Sequence, residues 1–336
     1  MRIHAITKNR DGCFEHRIAL PLAHLGRLGH DTSFGDGASA ALLDELSSQS
    51  DSVLLGKFIT DDHAVTAWET IARNPRRPAL MVYDVDDAYE FVDQVHGGDR
   101  SVYADPAARA RAARVMRAAD LITCSTPALA ELYAGLNRTV VLPNAIADEV
   151  FEWAARTPPL RFTVGFQGSP SHLQDMQWAL PALDAFMHRR PHARWHWFGM
   201  TDPQCWPAQR QRCTPWEDSP ERFYRSMLGR FHVGVAPLAP GIEFNRFKSG
   251  LKAQVYAALR IPTVASDTEF FRDTVDSGRT GILCSTWGQW TDALTYLCDD
   301  PTAATVMGMH AYDAEHKRRM SVVAPHWERA YREALR

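Results

Sequence analysis

Short apolar runs of strand length alternate with helical patterns along the whole of this 336-residue chain. That alternation predicts parallel sheets covered by helices, because parallel neighbours can be joined only through long crossover connections. In the first half the runs are Arg2–Thr7, Ser52–Leu55, Ala79–Tyr83, Leu121–Thr123 and Thr139–Leu142. Helical patterns such as Pro21–Leu28 and the Ala/Arg-rich Asp105–Ala119 separate them. A second series starts at Arg161–Phe166 and continues through Ala193–Phe198, His232–Ala236, Thr263–Ala265 and Gly281–Leu283. Between the two, "AARTPPL" (Ala154–Leu160) reads as a Pro-containing connector. A last helix is expected from near Ala324–Pro325. The organisation predicted is a domain over 1–155, another over 160–315, and a C-terminal helix in 316–336 packing back on the first.

A chain of this length can bury two cores. Its formal net charge of −3 argues against wrapping nucleic acid along a basic surface. No run of 18 apolar residues occurs and the N-terminus lacks a stretch of signal-peptide length, so a cytoplasmic protein without an integral membrane segment is expected. Six cysteines without a CxxC pair read as reduced thiols, and Cys205 with Cys213 has no matching second pair for zinc.

Arginine dominates the basic residues, with only five lysines, yet Lys248 and Lys252 stand four apart in "FNRFKSGLKAQVYAALRIPTVAS". The pattern predicts a helix running to Arg260 and then a strand. Both lysines would lie at the helix start, facing the crevice at the strand ends where open α/β sheets bind ligands. A lysine ammonium suits a diphosphate there; two solvated surface lysines are the other reading. Asn245 and Ser249 read as cap or turn residues.

"FTVGFQGSPSHLQDM" (Phe162–Met176) carries a strand into a turn with Gly168 and Ser169, followed by a helix start bearing His172. Such a turn either offers backbone N–H groups to an anion or simply closes a βα unit. In the first half, "DGCFEHRIALPL" puts Gly12, Glu15, His16 and Arg17 in the first βα turn. "MVYDVDDAYEFVD" ends a strand with Asp84, Asp86 and Asp87. These carboxylates fit a base, substrate hydroxyl contacts or a metal, but capping and pairing with arginines rank ahead of metal binding. "VVLPNAI" leads a strand into Pro143–Asn144. The basic patches are "MHRRPHARWHW" and "HKRRM"; the first suits an anionic or aromatic acceptor, or a buried strand with flanking arginines.

In this order the segments resemble the GT-B glycosyltransferases of the large group-one class (family four), over nearly the whole chain. "DGCFEHRIALPLAHLGRLGH" is similar to that class's N-terminal glycine loop and helix. "VYDVDDAYEFV" resembles the Asp-rich strand end of a branch found in bacteria and bacteriophages. "AADLITCSTPALAELY", "GFQGSPSHLQDM", the lysine-bearing segment and "DSGRTGILC" follow in matching order.

The resemblance implies an α/β GT-B architecture: two facing Rossmann-like domains with parallel sheets and an interdomain cleft. It implies donor contacts from Gly168, Ser169, His172, Lys248, Ser249 and Lys252, with Lys248 on the diphosphate. Acceptor contacts would come from Gly12, Glu15, Arg17 and Asn144, with His16, Asp84, Asp86 or Asp87 as base should the reaction invert. One departure stands out. Two glutamates eight apart, common in the class, are replaced by Phe247 and Val255, leaving Gln254 or Glu269 to hold the ribose.

The expected activity is transfer of a hexose from a nucleoside diphosphate, UDP-sugar being the expected co-substrate, to a hydroxyl of a glycan, a protein or a modified DNA base. Retention, no metal and no further cofactor are expected, in a bacterial or phage-infected host cytoplasm. The alternatives are a non-catalytic nucleotide-sugar- or carbohydrate-binding relative and a GT-B-like sugar epimerase.

Overall fold

The computed structural model describes residues 1–7, 12–36, 51–74, 77, 79–95, 101–155, 157–200, 207–217 and 219–336. Cys205 and Arg156 lie outside them. The chain forms two compact units, one of residues 1–93, 98–145 and 320–336, the other of 94–97 and 146–319.

Among the described residues the first unit holds six parallel strands: β1 (Arg2–Ile6), β2 (Asp31–Gly35), β3 (Ser52–Gly56), β4 (Leu80–Val85), β5 (Leu121–Cys124) and β6 (Thr139–Val141), in the order β2-β1-β3-β4-β5-β6. Every residue of β3 and β4 is buried, as expected of central strands covered on both faces. Ile3, Ala5, Val53, Leu55, Leu80 and Val82 form one face of the core. Against it pack Leu22 and Leu25 of the helix Leu20–Arg27, and Val323, Trp327 and Tyr331 of the helix Met320–Ala334. That last helix starts four residues before Ala324 and carries Pro325 inside it, which corrects the expected start. Its apolar face was sufficient to extend the helix upstream of the proline.

The described residues of the second unit also form six parallel strands: β7 (Thr163–Gln167), β8 (Arg194–Phe198), β9 (Gln211–Thr214), β10 (Val233–Ala236), β11 (Thr263–Ser266) and β12 (Gly281–Cys284), in the order β12-β11-β10-β7-β8-β9. Val164, Phe166, Trp195 and Trp197 alternate onto one face and meet the helices Leu173–Arg189 and Trp287–Asp299 through Leu183, Phe186, Trp290 and Leu294. A capping box at Thr286 and Gln289 starts the latter helix.

Strands β2 and β9 went unpredicted. Both are sheet edges, and "DTSFG" and "QRCT" lack the apolar run that burial on two faces imposes on the central strands and that the other two edges, β6 and β12, also carry. In each sheet the strand order reverses, at β1/β3 in the first unit and at β7/β10 in the second. The C-terminal ends of strands at such a reversal are where open α/β sheets take ligands.

Candidate functional site

At the β7/β10 reversal the chain leaves β7 through Gly168 and Ser169 and enters a short 3-10 turn, Pro170–His172, before the helix Leu173–Arg189. Asp175 lies in the first turn of that helix with its side chain buried. Its Oδ1 accepts from the backbone N–H of Ala239 (2.9 Å) and from Nδ2 of Asn245 (2.7 Å), and its Oδ2 lies 3.0 Å from Nδ1 of His172. One carboxylate therefore joins the β7 turn to the loop after β10 and to the 3-10 segment Glu243–Phe247. Ser266 at the end of β11 holds the same loop from the other side, exchanging hydrogen bonds with the backbone of Leu238.

Lys248 follows the 3-10 segment in extended conformation, and Gly250 is the N-cap of the helix Leu251–Ala258. The two lysines are thus not on one helical turn, and the helix ends before Arg260, whose φ is +62°. Electrostatically they still meet. The Lys248 ammonium sits 4.5 Å from the ring centre of Phe244, and that of Lys252 5.6 Å from the ring centre of Phe166. Lys252 Nζ also lies 3.0 Å from where a Cβ on Gly168 would be, so the bare glycine is what lets the ammonium reach the turn.

The charges are out of balance. Burial, and then repulsion from Lys248, lower the Lys252 ammonium to about 7, with Asp175 opposing. Burial also drives His172 down to about 3, helped by Lys252 and Lys248. His172 is therefore neutral. With Asp175 accepting from Nδ1–H, its Nε2 is left as an acceptor. Burial pushes the Asp175 carboxyl up, but His172, Ala239 and Lys248 together take it below its ordinary value. Two lysines, Lys252 among them held near neutrality by burial, thus stand with one buried carboxylate at a βα turn, the place where an anion can be taken.

The other expected donor residues distribute differently. Ser169 is exposed and its hydroxyl is 2.7 Å from that of Ser171. Ser249 is half-buried beside Lys248. Gln254 is two residues beyond Lys252 on one helix, about 200° around its axis. The helix that brings Lys252 to Gly168 consequently turns Gln254 away, and its Oε1 is buried without a partner among the described residues. Glu269 is exposed in the first turn of the helix Glu269–Thr274. Val255 is packed among Phe198, Phe231 and Leu259, and Phe247 is buried too.

In the first unit Gly12 opens a short helical turn, Gly12–Phe14, which runs into a π-helical stretch, Glu15–Ala19. The stretch places His16 and Arg17 inward. Arg17 is fully buried: Nε and Nη2 grip the two oxygens of Asp84 at 3.1 and 2.7 Å, Nη1 donates to the carbonyl of Leu142 and to Oδ1 of Asn144, and the guanidinium stacks 4.8 Å from the Trp327 ring. Asp84 also accepts from Thr123 Oγ1 (2.7 Å) and faces Lys57 Nζ at 3.4 Å. Both its oxygens are paired and its side chain has no exposed surface. Arg17 has no exposed surface and Asn144 is buried as well.

Lys57, unremarked in the sequence, is equally buried and pairs with Asp86. Burial works against its charge, yet Asp86 and Asp84 raise its pKa above the ordinary value. Cys13, Asp86 and Asp87 bring ligand atoms within 4.8 Å of one another, the one such group among the described residues that could hold a metal ion. Lys57 already supplies the positive charge facing Asp86. His16 Nδ1 is 3.1 Å from the Ala145 carbonyl, and burial lowers it to about 4. Glu15 is half-buried and raised by that burial.

Asp175 was missed because a buried carboxylate three residues after a histidine looks like any first-turn acid; the spacing that pairs them, i and i+3, was the available signal.

No family model matches the chain, and no curated protein matches it in sequence. Solved structures do. Sucrose-phosphate synthase from Thermosynechococcus elongatus superposes with a TM-score of 0.68 at 14% identity, covering 99% of this chain and 98% of that one. Anabaena HepE, solved with UDP and glucose, gives 0.67 at 13% over 99% and 100%. TarM gives 0.61 at 11%, covering 87% of this chain, which spans 57% of TarM's length. The fold is GT-B. Within this GT-B chain the lysine cluster lies wholly in the second unit and the Arg17–Asp84–Lys57 network wholly in the first. No helix among the described residues is long and apolar enough to cross a membrane.

Proposed function

We propose that the protein is a glycosyltransferase that moves a hexosyl group from a nucleoside diphosphate, UDP foremost, to an acceptor hydroxyl. The observation that carries this reading is the pair of ammoniums, Lys248 and Lys252, with neutral His172 at the Gly168 turn. Breaking the bond between the sugar and the diphosphate puts new negative charge on the leaving group, and fixed cations there lower the barrier. Two lysines supply that charge without a divalent ion. In the retaining route the acceptor oxygen bonds the anomeric carbon on the face the diphosphate leaves, and the departing diphosphate oxygen takes the acceptor proton. His172 Nε2 and the Ser249 hydroxyl are the neutral groups beside it. Glu15 and Asp87, both half-buried in the first unit, are the candidates on the acceptor side. Similar structures have been solved with UDP-glucose, as HepE was.

The test is a melting-temperature panel with UDP, GDP, ADP, dTDP and CMP, followed by assays of sugar transfer on wild type and Lys248→Ala. A shift with one diphosphate, and a loss of roughly 100-fold or more in turnover in the variant, are expected. Equal turnover would remove Lys248 from the diphosphate. A second reading, donor binding without transfer, is favoured by the burial of Phe247 and Val255 where carboxylates are common; a thermal shift with neither transfer nor release of free sugar would establish it. Release of free sugar without an acceptor would instead favour an epimerase.

A further inference from the structure

The opposite end of the second sheet, where its strands begin, carries a cavity of about 680 Å³. Five arginines line it: Arg161 before β7, Arg194 opening β8, Arg210 and Arg212 at the start of β9, and Arg230 before β10. No aspartate or glutamate among the described residues lines it. Among the described residues no carboxylate pairs with any of the five; Arg194 and Arg210 donate to backbone carbonyls instead. The cluster follows from register. β8 residue His196 lies beside Arg212 of β9, and Arg194 is two residues away on the same face. Because β9 is an edge strand, Arg212 is exposed rather than covered.

Arginines on a surface of net negative charge are ordinarily answered by acids, as Arg190 is by Asp299 and Arg114 by Glu69 in this same chain. Here they are not. Arg210 Nε is buried with no acceptor among the described residues. Burial, then Arg161 and Arg210, hold Arg194 below its usual range, and burial, then Arg230 and Arg212, hold His196 down to about 4. A cavity of this size is typical of a small-ligand site.

We infer that this arginine cavity is a second anion site, separate from the Lys248–Lys252 pocket, that takes a small ligand bearing several phosphate groups. One phosphate monoester carries only about 1.5 to 2 negative charges at neutral pH, so a single group would leave most of the five guanidiniums unanswered. Guanidinium forks match phosphate oxygens in pairs, which lysines do not. The inference does not rest on the transferase reading, since none of these residues touches the proposed donor site.

The test uses inorganic tripolyphosphate and inorganic phosphate as probes, measured by calorimetry on Lys248→Ala with Lys252→Ala, which removes both lysines of the donor site. Tripolyphosphate is expected to bind one site and to weaken as NaCl rises, and phosphate to bind about tenfold more weakly or worse. Adding Arg212→Glu with Arg230→Glu, both at exposed positions, is expected to weaken tripolyphosphate by about tenfold or more. In an otherwise wild-type chain the same pair is expected to leave UDP affinity and Tm unchanged. Should the double reversal fold poorly, Arg212→Gln with Arg230→Gln is expected to cost about threefold or more. Absence of tripolyphosphate binding in Lys248→Ala with Lys252→Ala, indifference to the arginine changes, or equal affinity for the two probes would each overturn the assignment.

Discussion

His172 Nδ1 lies 3.0 Å from Oδ2 of Asp175, and through that contact one buried carboxylate sets the tautomer of the histidine and anchors the loop that precedes Lys248. Asp175 is then both a stability element and the organiser of the anion pocket. Asp175→Ala strands the amide of Asn245 and the N–H of Ala239 together. A loss of about 3 kcal/mol in urea unfolding is expected. Asp175→Asn keeps the volume and is expected to cost less stability, yet still weaken UDP, because it no longer fixes the proton on Nδ1.

Lys252, with its folded pKa lowered from 10.5 to about 7, makes anion binding depend on pH. Between those values the unfolded chain holds the Lys252 proton and the folded chain has released it. This group's contribution therefore makes stability rise with pH across that window, and the cost of burying its charge is fully present below pH 7. A bound diphosphate restores the proton. UDP affinity is expected to fall above pH 7, by at most about tenfold per pH unit, with proton uptake on binding. Calorimetry at pH 8 in buffers of different ionisation enthalpy measures that uptake, and Lys252→Arg is expected to abolish it.

Gly168→Ala places a methyl 3.0 Å from Lys252 Nζ and from the Phe166 ring. Nζ ends a flexible side chain and can move, but the Phe166 ring and a φ of +159° make the substitution strained as well. UDP affinity is expected to drop about tenfold, roughly 1.4 kcal/mol, together with a fall in Tm. A fall in Tm with unchanged UDP affinity would argue against the contact with Lys252.

The Arg17–Asp84 pair is buried on both sides. Removing only Arg17, as Arg17→Met, is expected to cost about 3–5 kcal/mol, because the Asp84 charge stays behind. Arg17→Met with Asp84→Leu is expected to recover part of that loss in urea unfolding. Additive losses would mean the two residues do not act as a pair.

Val255→Glu restores a common residue type of the resembled class but buries its carboxylate among Phe198, Phe231 and Leu259. A loss of several kcal/mol without gain in UDP affinity is expected. Improved binding would show that the helix is set one face differently.

The α/β class and ten of the twelve strands among the described residues were legible because most of them are apolar runs, the form that burial on both faces imposes on parallel strands. Strands β2 and β9 were not: unlike the edges β6 and β12 they carry no apolar run, and only their pairing with β1 or β8 shows them. The lysines announced themselves by rarity, but their spacing suggested a shared helical turn where the chain has a 3-10 segment, an extended residue and then a helix. What the sequence determined alone was this local alphabet: strands, helix starts and the glycine turn. Tertiary structure decided the charges. Arg17 meets Asp84 across 67 residues and Asn245 meets Asp175 across 70. Whether Asp84 is a base or a strut, or Lys252 a full cation or one near neutrality, depends on burial and on neighbours brought from such distances, which no local pattern encodes.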